Sequence, residues 1–206
     1  LHLSRGLGDV YKRQMLPQEE RNVELGMDYG DELIRIRGDH GLPYHLKANC
    51  YRQLGEFEKA KPLYEQSIKN FGNKVAYKNM DEELTYNEVN ECVDSLVWYF
   101  QNKTNLKKGD KVALQMPNLL QYPIAIFACL KAGFVIVNTN PLYTADEMLH
   151  QYKDSGAKAV IIVENFAYNL EKILSKTDIE TIITTTIGDL LGTLKGGLVN
   201  FVIRNV

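Results

Sequence analysis

The chain has 206 residues, and its hydrophobic share of 45% is large enough for a folded core and excludes wholesale disorder. Its formal net charge is −2, with Lys and Arg scattered along the sequence, which gives no electrostatic basis for nucleic-acid binding. The cysteines Cys50, Cys92 and Cys129 lie far apart and fit no C-x-x-C spacing, so we predict no thiolate metal site and a reducing, cytoplasmic location.

The first residues differ in character from the rest of the chain. Residues 1–14 contain S-R-G-L-G-D-V-Y-K-R-Q, which resembles translated sequencing-adapter sequence. We therefore expect a non-native or disordered tail that carries no function. Residues 15–68 show a helical pattern of apolar residues among charges, interrupted by Gly38 and Gly41.

The second half of this helical segment is similar to a tetratricopeptide repeat. In residues 46–68, the small side chains of Ala48 and Ala60 would let two helices approach closely. The pattern also predicts a turn at Gly55 and a filling of aromatic side chains between the helices by Tyr51, Phe57 and Tyr64. Pro62 lies near the start of the second helix, and we expect it to be tolerated there only in the first turn. A stable repeat core needs roughly three such units. A helical-repeat protein-interaction module is therefore the alternative function.

From residue 69 the pattern changes to short strands that alternate with helices. Alternating or continuous apolar runs predict strands at 74–80, 83–86, 111–116, 134–137, 158–163 and 181–185. Helical patterns follow at Thr85, over 120–132, from Thr144 to about residue 154, over 166–175 and within 188–206. This alternation is typical of a parallel sheet with helices on both faces. The predicted fold class is α/β: a partial doubly wound parallel sheet in residues 69–206 with an α-helical N-terminal appendage.

Several helix ends are marked by residues that suit capping positions. The T-x-x-E spacing at Thr85 and at Thr144 predicts two capping boxes, in which the threonine and glutamate satisfy free backbone N–H groups. Gly133 suits a left-handed C-cap, and Gly156 should stop the helix that begins at Thr144. Asn165 is predicted to cap the next helix.

Four phrases in this α/β segment carry a family resemblance. They are L-K-K-G-D-K-V-A-L-Q-M-P-N-L-L-Q-Y-P (106–123), F-A-C-L-K-A-G-F-V-I-V-N-T-N-P-L-Y-T (127–144), D-S-G-A-K-A-V-I-I-V-E-N-F-A (154–167) and G-D-L-L-G-T-L-K-G-G-L-V-N-F-V (188–202). In this order they resemble the first subdomain of the AMP-forming long-chain fatty acid–CoA ligases, which belong to the adenylate-forming superfamily. The resemblance covers residues 64–206.

The resemblance implies an enzyme activity for the full-length protein. Such a ligase would use ATP and Mg²⁺ to convert a fatty acid to an acyl-adenylate, and would then transfer the acyl group to coenzyme A. The resemblance also implies a cytoplasmic protein, with a peripheral contact at the inner membrane face through residues 190–206 as a further expectation. No nucleic-acid partner is expected.

The phosphate-binding loop of this family, T-G-G-T-T-G-x-x-K-G, does not occur in residues 1–206. We therefore expect a truncated N-terminal subdomain that is inactive alone and binds no cofactor. We assign no catalytic, cofactor-binding or metal residue. The polar residues of the four phrases are each predicted to serve helix ends, turns or the surface: Asn118, Lys131, Asn140, Tyr143, Thr144, His150, Asp154, Glu164 and Asp189.

The junction between the helical and α/β segments permits a further hypothesis. Residues 63–68, L-Y-E-Q-S-I, fit both the second helix of the repeat-like unit and the helix that opens the ligase fold. We therefore hypothesise that residues 15–61 and the ligase-like segment come from different genes that were joined near this point.

Overall fold

The computed structural model describes residues 18–37, 41–53 and 56–205 of the chain. These residues divide into two compact units. The first unit takes in the chain up to residue 76 together with 85–87, and the second takes in 77–84 together with the residues from 88 onwards. The tail expected at 1–14 and the turn expected at Gly55 lie outside the described residues.

The described part of the first unit consists of three helices: α1 (Gln18–Arg37), α2 (Leu42–Gln53) and α3 (Phe57–Phe71). α1 and α2 pack closely, since a Cβ atom placed on Gly26 would lie 2.7 Å from Cys50 Sγ. Ala48 is fully buried, as its place in the sequence pattern predicts. The helical prediction is confirmed over these residues. The repeat-like role of the α2–α3 pair stays a prediction, because the side chains of Phe57 and Ala60 lie outside the described part.

Pro62 lies inside α3, beyond its first turn, so the helix accepts the proline outside the turn to which we expected it to be limited. A proline there lacks the N–H that would bond to the carbonyl group of Glu58. Glu58 is exposed, so water can solvate that carbonyl group and the helix continues through the proline.

The chain continues into a hairpin, of which residues 77–84 belong to the second unit, and the second unit also contains a separate parallel sheet. The hairpin strands β1 (Val75–Asn79) and β2 (Glu82–Thr85) form a two-stranded sheet of their own. The turn between them places Met80 and Asp81 at φ values of 48° and 64°, a geometry that suits the twist of a tight hairpin. The expectation that the strand at 83–86 opens the β-α-β series of the parallel sheet is therefore wrong, because this strand pairs with the strand before it in a separate sheet.

Four parallel strands form the main sheet in the order β4-β3-β5-β6. They are β3 (Lys111–Gln115), β4 (Val135–Asn138), β5 (Ala159–Val163) and β6 (Thr181–Thr185). The helices around them are α4 (Tyr86–Lys103), α5 (Gln121–Lys131), α6 (Ala145–Ser155), α7 (Glu164–Glu171) and α8 (Thr193–Arg204). A parallel α/β sheet was predicted, and it is confirmed. Among the described residues, every helix is too short or too polar to cross a membrane.

Both faces of the sheet are covered. Val160 and Ile162 of β5 pack with Met148, Tyr152 and other residues of the α6 and α7 side in one buried cluster. The intervening residue Ile161 faces the other way and is also buried. The connection from β3 to β4 runs towards one edge of the sheet, and the connection from β5 to β6 runs towards the other edge. Since both crossovers are right-handed, α5 and α7 lie on opposite faces. This is the doubly wound arrangement.

Most of the predicted helix ends are confirmed. Thr144 forms a complete capping box with Glu147 before α6. Gly133 and Gly156 have φ values of 79° and 66°, the left-handed conformation expected after α5 and α6. The cap predicted at Asn165 is wrong, because α7 begins at Glu164 directly after β5 and its N-cap position is Val163.

Replacing Thr144 by Ala should lower the free energy of unfolding by about 1 kcal/mol, because the Glu147 N–H would lose its side-chain acceptor. Urea unfolding followed by circular dichroism measures this change. Thr193→Ala, at an exposed threonine in the first turn of α8, is the matched control and should leave the unfolding midpoint nearly unchanged. Equal effects of the two substitutions would contradict the capping role of Thr144.

Candidate functional site

The carboxyl edge of the parallel sheet is the place where this fold type binds ligands. In an open parallel sheet the ligand crevice forms where two neighbouring strands send their connections in opposite directions. Here those strands are β3 and β5, which are adjacent and continue into α5 and α7. The candidate site therefore lies at the ends of these strands, next to Gln115 and Glu164.

A buried hydrogen-bond network fixes the ends of β3 and β4. The side chain of Gln115 is fully buried, and its Oε1 accepts a hydrogen bond of 2.5 Å from the hydroxyl of Tyr152 on α6. Its Nε2 donates to the carbonyl oxygen of Asn140 at 3.3 Å. Burial raises the pKa of Tyr152, so the phenol stays protonated and acts as a donor. The network holds the loop that follows β4 against the end of β3.

Two further side chains support the end of β4 from either side. The Tyr122 hydroxyl on α5 donates to Asn138 Oδ1 at 2.9 Å. Gln151 Nε2 on α6 donates to the Asn138 carbonyl oxygen at 3.0 Å. The helices before and after β4 therefore both fix the point where this strand ends.

A second polar cluster follows β6. Asp189 Oδ2 accepts hydrogen bonds of 2.8 Å from Thr185 Oγ1 and from the Thr186 N–H, and Thr186 Oγ1 donates to Asp189 Oδ1. Asn200 Nδ2 on α8 donates to Thr186 Oγ1 at 2.8 Å. Partial burial alone would raise the pKa of Asp189, but the hydrogen bonds from Thr186 and Thr185 outweigh it and hold the pKa below its ordinary value.

Two contacts connect neighbouring parts of this edge. Arg204, in the last turn of α8, forms a two-pronged ion pair with Glu164 at 2.8 and 2.9 Å. The hydrogen bond from Arg204 lowers the pKa of Glu164. Gln121, the first residue of α5, donates to the Thr186 carbonyl oxygen at 2.8 Å. The segments that follow β3, β5 and β6 are thus connected to one another or to α8.

These contacts position the backbone and pair most of the polar groups, although Gln151 Oε1 is buried without a hydrogen-bond partner. Among the described residues, no group of three His, Cys, Asp or Glu side chains is placed to hold a metal ion. Burial raises the pKa of the Cys129 thiol to about 12, so this cysteine stays protonated and acts as a small apolar residue. The hydrogen bonds and ion pairs of this edge hold its backbone in place.

The residues weighed from the sequence occupy separate positions. Lys131 pairs with Asp94 at 2.5 Å, and the Asn118 carbonyl oxygen accepts a hydrogen bond from Asn79 at 3.0 Å. The Asn140 side chain accepts from the Leu142 N–H in the predicted turn. Tyr143 packs against the α6–α7 side of the core, and His150 and Asp154 are exposed on α6.

Sequence reasoning placed Glu164 and Asp189 in loops or caps but missed their partners. Gln115 and Tyr152 lie 37 residues apart, and Glu164 and Arg204 lie 40 apart. The one local signal was Gln115 itself, a polar residue inside an otherwise apolar strand, which had to find a buried hydrogen-bond partner.

Comparison with known proteins identifies the family. The family model described as AMP-binding enzyme matches residues 64–202, about two thirds of the chain. The chain belongs to the AMP-binding enzyme family. A long-chain-fatty-acid–CoA ligase of Escherichia coli O157:H7 is 47% identical over 165 residues, which is 80% of this chain and 28% of that protein. The chain thus spans less than a third of the length of this curated relative.

Solved structures agree with the fold. A long-chain-fatty-acid–CoA ligase from Archaeoglobus fulgidus superposes with a TM-score of 0.55 at 22% identity, covering 62% of this chain and 28% of that one. A benzoate CoA ligase from Burkholderia xenovorans LB400 gives 0.56 at 22% identity, covering 67% and 27%. At these identities the likeness shows the fold alone.

The extent of the Escherichia coli match bears on the hypothesis of two joined genes. A match of 165 residues leaves 41 of the 206 residues outside it, so the match begins at residue 42 or earlier. Residues 42–61, which hold α2 and the start of α3, therefore belong to the segment shared with the ligase. The hypothesis that all of residues 15–61 come from another gene is wrong for this part.

Replacing Tyr152 by Phe should lower the free energy of unfolding by about 1–3 kcal/mol, because Gln115 Oε1 would be buried without its donor. The double substitution Tyr152→Phe with Gln115→Met should recover part of this loss, since both polar partners are then removed. Urea unfolding of both single variants and the double variant gives the coupling free energy. Strict additivity of the two changes would contradict a direct interaction.

Replacing Asp189 by Asn should lower the stability by about 1 kcal/mol at pH 7. Because the folded-state pKa of Asp189 lies below its ordinary value of 3.8, the carboxylate stabilises the fold above that pH. The contribution starts to fall near pH 3.8 and is lost as the pH falls through the lower folded-state pKa, so the difference between the two proteins should narrow below about pH 3.8. Urea midpoints at pH 7, 5 and 3 test this, with Asp154→Asn as an exposed control. A difference that stays constant over this range would contradict the assignment.

Proposed function

We propose that this chain supplies the first subdomain of an AMP-forming long-chain fatty acid–CoA ligase. The observation that carries the proposal is the 47% identity to the Escherichia coli O157:H7 ligase over 165 residues. The reaction would proceed in two steps. The fatty acid carboxylate attacks the α-phosphorus of ATP and releases pyrophosphate. The sulfur of coenzyme A then attacks the acyl carbon of the adenylate and releases AMP.

The part of this chain in that reaction is to position the crevice rather than to carry the chemistry. The Gln115–Tyr152 network and the Asp189 cluster fix the loops after β3, β4 and β6. A site works best when its supporting side chains are locked by packing and hydrogen bonds. We infer that the sheet edge presents these loops in fixed positions to the residues that bind ATP and coenzyme A.

The described residues do not fit a resident Mg²⁺ ion. Magnesium is usually held by one or two carboxylates together with water and substrate phosphates. The carboxylates at the sheet edge, Glu164 and Asp189, are instead engaged by Arg204 and by the Thr185–Thr186 segment. No step of the reaction is therefore routed through a metal ion held by these residues.

Two further expectations from the sequence stay proposals of lower rank. The first is a cytoplasmic protein with a peripheral membrane contact through residues 190–206. The second is a helical-repeat interaction module built on residues 46–68, and no observation favours it over the ligase function.

The test is a chimera that joins this chain, through residue 205, to the remaining residues of the Escherichia coli O157:H7 ligase. If the chain is a ligase subdomain, the chimera should form oleoyl-CoA from oleate, ATP and coenzyme A, measured by mass spectrometry. The 206-residue chain alone should form no product in the same assay.

The matched control is the same remainder without any replacement for its missing part, which should be inactive. A folded chimera with no activity above this control would overturn the proposed function. Product formation by the 206-residue chain alone would overturn the view that it only positions the crevice.

A further inference from the structure

One side of α8 exposes a row of large apolar side chains to solvent. Leu194, Leu198, Phe201 and Val202 are 90%, 64%, 67% and 48% exposed, and we call them the α8 apolar face. Their spacing of i, i+4, i+7 and i+8 places them on one side of the helix. Exposed apolar patches of this kind mark surfaces that another molecule covers.

The opposite side of α8 is fixed to the second unit. A Cβ atom added to Gly188 or to Gly196 would collide with the backbone of the other residue, so the loop and the helix meet through glycine backbone. Asn200 Oδ1 accepts from the Gly188 N–H at 2.8 Å. At 100° per residue, Leu194 and Leu198 lie about 160–200° around the helix from Gly196. The helix therefore cannot turn its apolar face inward without losing these contacts.

The hairpin turn places a further exposed apolar residue beside α8. Lys195 donates a hydrogen bond to the Met80 carbonyl oxygen and pairs with Glu82 at 3.6 Å. Met80 is 49% exposed and has a φ value of 48°, a conformation in which Gly or Asn is less strained. Met80 therefore adds an exposed apolar side chain to the surface beside α8.

The charges of this surface are already balanced within the chain. The cations of α8 are Lys195 and Arg204, and they pair with Glu82 and Glu164. The helix contains no acidic residue. Membrane-surface helices usually carry free Lys and Arg on their polar side, which attract anionic lipid. A face without unpaired charge is better matched to a neutral, apolar protein surface.

The length of the relatives indicates where that protein surface comes from. This chain covers 28% of the Escherichia coli ligase, so most of that polypeptide lies outside the shared segment. We propose that the α8 apolar face, together with Met80, is covered by the part of the ligase polypeptide beyond the segment matched here. This inference rests on the proposed function, because it takes the ligase remainder as the partner.

Hydroxyl-radical footprinting with mass spectrometry tests the inference directly. The oxidation rates of Leu198 and Phe201 should be high in the 206-residue chain and should fall several-fold in the chimera with the Escherichia coli remainder. Tyr168 on α7 is 68% exposed and serves as the internal control, whose rate should stay high in both proteins.

A pair of substitutions provides a second readout. Leu198→Asp should leave the urea midpoint of the 206-residue chain unchanged, because the side chain is exposed there, and should lower that of the chimera. Tyr168→Asp, at a site of similar exposure, replaces the ring contact with Lys172 by an i, i+4 charge pair and should shift both midpoints alike.

The outcomes separate the two proposals. An active chimera in which Leu198 and Phe201 stay fully reactive overturns the inference and leaves the ligase function standing. An inactive chimera in which the α8 apolar face is protected overturns the ligase function but leaves standing the inference that the remainder of the ligase covers this face. Protection of the 206-residue chain that rises with its own concentration would assign the face to a second copy. Protection only by phosphatidylcholine–phosphatidylglycerol vesicles would assign it to a lipid surface. Either result overturns the inference.

Discussion

Burial of β5 on both faces is the interaction on which the second unit depends. All residues of Ala159–Val163 are buried, and each Val or Ile side chain contributes about 1.5–3 kcal/mol when removed from water. A strand that is apolar on both sides must lie inside a sheet that carries helices on both sides. β3 and β6 flank it in parallel register, and α6 and α7 cover one face through Met148, Tyr152 and Leu170. This placement also leads to the opposite directions of the connections after β3 and β5, between which the candidate crevice forms.

The sequence allowed prediction of the parts of the fold that depend on neighbouring residues. The capping box at Thr144 needs only four consecutive positions, and the left-handed conformation at Gly133 needs one residue without a Cβ atom. The Asn165 cap failed because β5 passes directly into α7, which leaves no loop residue to cap it. The Gln115–Tyr152 pair could not be found, because periodicity shows that both residues are on buried faces and not that they face each other. Strand order was hidden for the same reason, since it depends on contacts between distant segments.

The carboxyl edge of the sheet shows why family membership and chemistry are separate questions here. Its polar side chains are numerous, yet Gln115, Glu164 and Asp189 each bond to partners within the chain. Buried or partly buried polar groups that are fully paired rigidify a structure, whereas catalytic groups need a free position for substrate. The identity to ligases places this segment in the family, while the described contacts of these three residues hold the sheet edge in place. That division is common in α/β enzymes, whose reactive residues lie on loops held by a rigid sheet.

The same contacts explain why α8 exposes its apolar residues. A helix of this composition would ordinarily rotate to bury its leucines and phenylalanine against the sheet. Here the inner side is taken by Gly196 and Asn200, because only glycine permits the backbone approach to Gly188 and only a polar side chain can bond to its N–H. Ion pairs near both ends, through Lys195 and Arg204, oppose rotation as well. The exposure of the apolar face is thus a consequence of how the helix is attached. Turning that face towards the sheet would break the contacts through Gly196 and Asn200 that stabilise the attachment.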